Sequence, residues 1–301
     1  MTDVETAEAA VGERTRHKQR GGFGLLVRAA LRRTEGRIGL ALVVLVAAVA
    51  FLGPFFSPHS ASELISAPYA LPGDGTVLGA DGLGRDVLSR FLNGGNVILA
   101  LALLATAVGV GAGVVLGLIA GYRRGVLGQV IMRILDIVLS FPSLLLALLF
   151  LSIIGVNWWI IVVTIAISHI PYVARVVESG SLAVIGRGFV QYAEMIGVPR
   201  RRILVREILP SIVAPLTVQF GIRVTWSIGI ISSLAYLGFG RQPPSVDWGM
   251  MISENQSMLL SNPLPVLLPV AAIAVITVGA NLLTDAFGQA AGLSGRRGQS
   301  A

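Results

Sequence analysis

The stretch VILALALLATAVGVGAGVVLGLIAG, residues 97–121, contains no charged side chain. An apolar run of about 20 residues is what a helix needs to cross about 30 Å of hydrocarbon, so this stretch predicts a membrane span. Working outward from it, near-continuous apolar runs recur at 38–56, 132–153, 158–178, 212–237 and 264–286. The expected fold is therefore an all-α integral membrane protein with six transmembrane helices.

Composition agrees with that reading. Of the 301 residues 54% are hydrophobic and only 13% charged, and the mean hydropathy is +0.79. These values place the chain among membrane proteins rather than soluble globular ones. With no cysteine, disulfides, thiolate metal sites and a cysteine nucleophile are excluded. Three histidines, His17, His59 and His169, make a histidine-rich metal site a poor expectation.

Positive charge gives the expected orientation, because short cytoplasmic loops retain Lys and Arg. With the N-terminus inside, all but four of the 23 Lys and Arg fall in cytoplasmic segments: Arg85, Arg90 and Arg241 lie outside, and Arg223 lies within a span. Both termini are then cytoplasmic. The net charge of +7 reads as this topological signal plus attraction to anionic lipid headgroups. Nucleic-acid binding is not expected, since the arginines flank spans and lack interleaved aromatics. Ala48-Val49-Ala50 imitates a signal-peptide cleavage site, but the apolar run continues to Phe56 and reads as a retained anchor.

The chain divides accordingly. Residues 1–37 form a cytoplasmic segment whose first 20 residues read as disordered and whose 23–33 region, FGLLVRAALRR, has the pattern of a basic interfacial helix. The first span, 38–56, leads into an external loop, 57–96, and then a five-helix core, 97–288, with a tail at 289–301. The loop ends in LGADGLGRDVLSR, Leu78–Arg90, read as glycine-supported turns before a short surface helix at Val87–Leu92. It is no Walker A loop, which requires G-x-x-x-x-G-K-[ST]; the only lysine of the chain is Lys18. Any ATP-driven work needs another chain to hold the nucleotide.

Between the fourth and fifth spans lies GFVQYAEMIGVPRRRILVREILPS, Gly188–Ser211. A short helix over 188–196, a break at Gly197 as a C′ residue, Pro199 at the next helix start and a basic helix over 200–209 predict a cytoplasmic hairpin. Phe189, Ala193 and Ile196 recur at helical spacing as an apolar stripe. Such a stripe suits the bilayer surface, the second helix of the hairpin or a groove on a partner protein.

The hairpin resembles the EAA loop of ABC importer permeases, E-A-A-x-x-x-G followed by Leu-Pro. Gln191-Tyr192-Ala193 occupies the E-A-A positions, with Gly197 and Leu209-Pro210 at the matching places; Gln and Tyr replace the usual Glu and Ala. LGADGLGRDVLSR, DIVLSFPSLLLAL (Asp136–Leu148) and LAYLGFGRQPPSVDWGMMI (Leu234–Ile252) are similar to the dipeptide/oligopeptide/nickel permeases, C-type subunit, over about residues 22–285. This resemblance implies a transport subunit without cofactors of its own. It also implies a second homologous permease, two ATPases that bind ATP and Mg, and an extracellular substrate-binding protein. The implied ATPase-coupling residues are Phe189, Gln191, Tyr192, Ala193, Ile196, Gly197 and Pro199. The implied cargo is a dipeptide or oligopeptide, with nickel or another small solute as the alternative.

Ionisable groups within spans are costly and face a cavity or each other, which makes Arg223 and Asp136 candidates for the substrate path. Asp136 and Arg133, three apart, can also pair along one helix, and His169 before Ile170-Pro171 reads as a hydrogen-bonded residue at a kink. Asp247 and Trp248 in the external motif are candidates for an outer gate, a binding-protein contact or a structural cap. Two other function classes have sequence features of their own. An ion-coupled carrier or channel would rest on the intramembrane charges. A serine protease would rest on Gly292–Gly295, GLSG, which falls in the polar tail beyond the last span. No catalytic or metal-ligating residue is expected.

Overall fold

The computed structural model describes residues 22–299 apart from positions 74, 123, 124, 187, 242 and 243; the expectation for residues 1–20 lies outside it. The chain opens with α1, Gly22–Leu31, and α2, Thr34–Leu52, which runs on as a 3-10 turn to Phe56. After the loop come α3, Val87–Gly94, α4, Asn96–Tyr122, α5, Val126–Leu139, α6, Ser143–Ile154, and α7, Trp158–Ile185. Then follow α8, Gly188–Met195, and α9, Arg200–Ile203, continued by a π-helical turn and a further turn to Ser211. The last elements are α10, Val213–Leu234, extended by a π-helical turn to Phe239, α11, Trp248–Asn255, and α12, Leu264–Gln299.

Among the described residues, five helical segments are long and apolar enough to cross a membrane, and α5 with α6 makes up to a sixth. That third span is not continuous as expected: the two helices meet at 82°. Pro142 supplies the cause. It has no N–H to donate and disfavours helical geometry at Phe141 before it, so α5 ends at Leu139 and α6 restarts at Ser143 with Pro142 extended.

Packing holds the bundle through close backbone approach rather than bulk hydrophobicity, since lipid is as apolar as leucine. α4 presents Gly109, Gly113, Gly117 and Gly121 to α7. A Cβ at Gly113 would sit 2.7 Å from Val173 Cβ, and one at Gly117 would sit 2.5 Å from the Ala174 carbonyl oxygen. The main core joins Val46 of α2, Ala102 of α4, Leu151 of α6, Ile165 of α7, Ile231 of α10, Trp248 of α11 and Ile276 of α12.

The two ends differ. At one end the 57–86 loop, α3 and α11 cover the bundle. At the other, α1 lays Leu26 and Ala30 on Ala286 and Ala290 of α12. There too the α8–α9 hairpin packs Val190, Ile203 and Ile208 against Leu118, Val177 and Val184.

Candidate functional site

The hairpin forms where expected, but its faces are turned. Val190 is fully buried and Ala193 half-buried against the bundle, whereas Tyr192, Met195 and Ile196 are exposed. Ala193 therefore belongs to the packed side, because it and Val190 share a face with the apolar residues of α9 below them. The side chains of Phe189 and Gln191 lie outside the described residues. Gly197 has φ +77, the left-handed region that glycine occupies without penalty, and the Val198 N–H donates back to the Ala193 carbonyl at 3.0 Å. Pro199 is the extended residue capping α9 rather than its first helical residue. The result is a short rigid elbow with an apolar exposed patch.

A second polar cluster lies inside the bundle. Arg223, midway along α10, is 9% exposed, with its guanidinium carbon 4.4 Å from the centroid of the Tyr172 ring of α7. One helical turn on, Ser227 Oγ lies 2.8 Å from His169 Nε2 and 2.9 Å from Thr106 Oγ1, which ties α4, α7 and α10 together. His169 thus is the hydrogen-bonded residue expected beside Pro171, itself inside α7. Asp136 departs from the local pairing with Arg133: Arg175 of α7 donates to Asp136 Oδ1 at 2.5 Å. The reason is packing, since α5 runs against α7 and brings an arginine of another helix closer than the one three residues away.

Two cavities meet around this cluster. One of about 80 Å³ is lined by Ser143, Ser168, His169, Tyr172, Arg223 and Trp226. The other, of about 530 Å³, shares Ser143 and Trp226 with it and adds Thr225, Ser233 and Asn281. A cavity of this size with a few convergent polar groups is the ordinary form of a small-solute site.

At the covered end, Asp247 and Trp248 are both buried. Asp247 caps α11: Oδ1 accepts from the Met250 N–H at 2.8 Å and Oδ2 from the Arg241 N–H at 3.0 Å. Burial pushes its carboxyl up from the ordinary value, and the two backbone donors oppose that rise. Trp248 stacks on Phe91 with ring centroids 5.6 Å apart and donates its indole N–H to the Phe91 carbonyl at 2.9 Å. Position 243 and its neighbour in the Gln242-Pro243-Pro244 turn lie outside the described residues.

Beside this cap sits an ion network that the sequence reading missed. Arg85 donates to Asp81 at 2.7 Å and to Glu254 at 2.8 Å, while Arg90 donates to Asp81 and, at 2.7 Å, to Glu254. The helix expected on the surface, α3, is consequently an inner element, with Val87, Ser89 and Arg90 buried. The i,i+4 spacing of Asp81 and Arg85 is a local signal for one of these pairs, whereas Glu254, 164 residues from Arg90, has none.

Residues 113–292 match the model of the binding-protein-dependent transport system inner membrane component. The glutathione transport system permease protein GsiD of Pectobacterium atrosepticum is 36% identical over 245 residues, 81% of either chain. The di/tripeptide transport system permease protein DppC of Pseudomonas aeruginosa is 32% identical over 254 residues, 82% of this chain and 84% of that one. Among solved structures, the crystal structure of an amino acid ABC transporter with histidines aligns with a TM-score of 0.52 and 20% identity, covering 66% of this chain and 93% of that one; this similarity concerns the fold.

Proposed function

Because the chain belongs to the binding-protein-dependent transport system inner membrane components, we propose that it forms half of the translocation path of an ABC importer whose cargo is a dipeptide or oligopeptide. The observation that carries the cargo is the similarity to permeases named for glutathione and for di- and tripeptides. A peptide presents charged termini, and the polar cluster at Arg223 with the adjoining cavity of about 530 Å³ suits a small polar solute. Arg223 lines the path; Asp136, held by Arg175, stands at its edge.

In this reading a second homologous permease completes the path, two ATPases hold ATP and Mg, and an extracellular binding protein delivers the solute. The α8–α9 hairpin is cytoplasmic and docks the ATPases through the exposed Tyr192, Met195 and Ile196 patch, while the Gly197 elbow passes their movement to α7 and α10. Closure of the ATPases then switches the cavity between its two faces, as a rigid-body transition. Asp247 and Trp248 hold the outer cap in shape.

The test is reconstitution. The chain, co-expressed with its second permease, ATPases and binding protein, is expected to take up di- or tripeptides into liposomes only when ATP and the binding protein are present. Uptake by this chain alone, or uptake of nickel chelates in place of peptides, overturns the reading.

A further inference from the structure

The break in the third span has a chemical consequence at the depth of Arg223. α6, 12 residues long, begins at the half-buried Ser143, and Pro142 before it offers no capping side chain. The first N–H groups of a helix have no partner within it, and they carry the positive end of its dipole. Ser143, the first residue of α6, lines the same cavity as Arg223.

Arg223 is the second observation. It is 9% exposed, and its Nε is buried with no hydrogen-bond partner among the described residues. The ring face of Tyr172 steadies the charge but supplies no in-plane acceptor for the guanidinium N–H groups. Among the described residues, the acid on the neighbouring helix, Asp136, is already taken by Arg175. A buried arginine fork without its carboxylate and an uncapped helix N-terminus thus face one space.

That space is about 80 Å³, the scale of a carboxylate and too small for a peptide. It adjoins the cavity of about 530 Å³, where the rest of a solute would lie. Helix N-termini and bidentate arginines both select planar anions. We propose that Arg223 and the N-terminus of α6 form a carboxylate-binding point within the translocation path, which holds the free carboxylate of the transported solute. This rests on the permease reading and narrows the cargo to solutes that carry a carboxylate.

The test uses the purified complex of the full chain with its partner subunits, without the binding protein. It is titrated with N-acetyl-dialanine and, separately, with the C-terminal amide of the same compound, and the apparent Tm is followed. The acid is expected to raise Tm and the amide to leave it unchanged. Arg223→Lys should retain the response, and Arg223→Gln should weaken apparent affinity at least tenfold. Ser143→Asp, which places an acid at a helix start where it is tolerated, should do the same by occupying the site from within.

Equal responses to acid and amide, no response in the wild type, or a response that survives in both Arg223→Gln and Ser143→Asp overturns the proposal. The liposome assay separates this from the cargo reading. Peptide uptake without acid selectivity sinks the carboxylate site alone. An acid-selective Tm response in a complex that moves no peptide sinks the peptide cargo and leaves the site standing.

Discussion

Asp247, a candidate for an outer gate, a binding-protein contact or a structural cap, caps α11 through its side chain. Both carboxylate oxygens are used on backbone N–H groups, at Met250 and Arg241, so removing them frees two donors at once. Asp247→Ala is expected to cost about 1–2 kcal/mol of stability, the usual worth of a helix N-cap. Asp247→Asn keeps one acceptor and should cost less; apparent Tm in detergent reads both. The pH dependence has a definite sign. Burial raises the folded carboxyl above its ordinary value of 3.8, with Glu254 adding to the rise, so the folded state holds the proton more tightly than the unfolded one. Stability from this group is greatest below 3.8 and falls as pH rises through the raised value. The Tm difference between Asp247→Asn and wild type should therefore shift toward the variant over that window and stay flat above it; a constant difference contradicts the assignment.

At the scale of elements, α8 and the residue after it carry a packed side and an exposed side. Val190 faces the bundle and Ile196 faces outward, so the same change has opposite consequences at the two positions. Ile196→Asp is expected to reduce ATPase co-purification and ATP-driven uptake at least tenfold with Tm unchanged. Val190→Asp should lower Tm, because it buries a charge against Ile203 and Ile208. Gly197→Val should also weaken the elbow, by about 1–2 kcal/mol for a side chain forced into left-handed geometry. If Ile196→Asp leaves the ATPases bound, the docking face is elsewhere. The existence of this hairpin was legible from Gly197 and Pro199, whose backbone demands are local. Its rotation was not, since the stripe Phe189, Ala193 and Ile196 is periodic whichever side meets the bundle. The break in the third span was also written locally, in Pro142, yet hydropathy alone passes over it. The glycines at 109, 113, 117 and 121 repeat every four residues and could have disclosed the α4–α7 seam. The pairing of Asp136 with Arg175 could not have been read, because it depends on which helices become neighbours.

For the whole molecule, the two ends differ in the positive charge they expose. Arg200, Arg201, Arg202 and Arg206 cluster at the hairpin end and are exposed or half-buried, and Arg28, Arg32, Arg33 and Arg37 accompany α1 and the start of α2. At the opposite end Arg85 and Arg90 are spent within the Asp81 and Glu254 network, and Arg241 is exposed. Exposed positive charge is therefore concentrated on the hairpin side, the bias that the positive-inside rule reads as cytoplasmic. A chain without cysteine allows a direct measurement. Leu260 is fully exposed at the covered end, and Met195 is 77% exposed on the hairpin, so Leu260→Cys and Met195→Cys can be made singly without disturbing the core. A membrane-impermeant maleimide should label Leu260→Cys in intact cells and reach Met195→Cys only after permeabilisation. Co-expressed ATPases should then protect Met195→Cys even in permeabilised cells, because the docking patch includes that position. The reverse labelling pattern would invert the topology and place the hairpin where no ATPase could reach it.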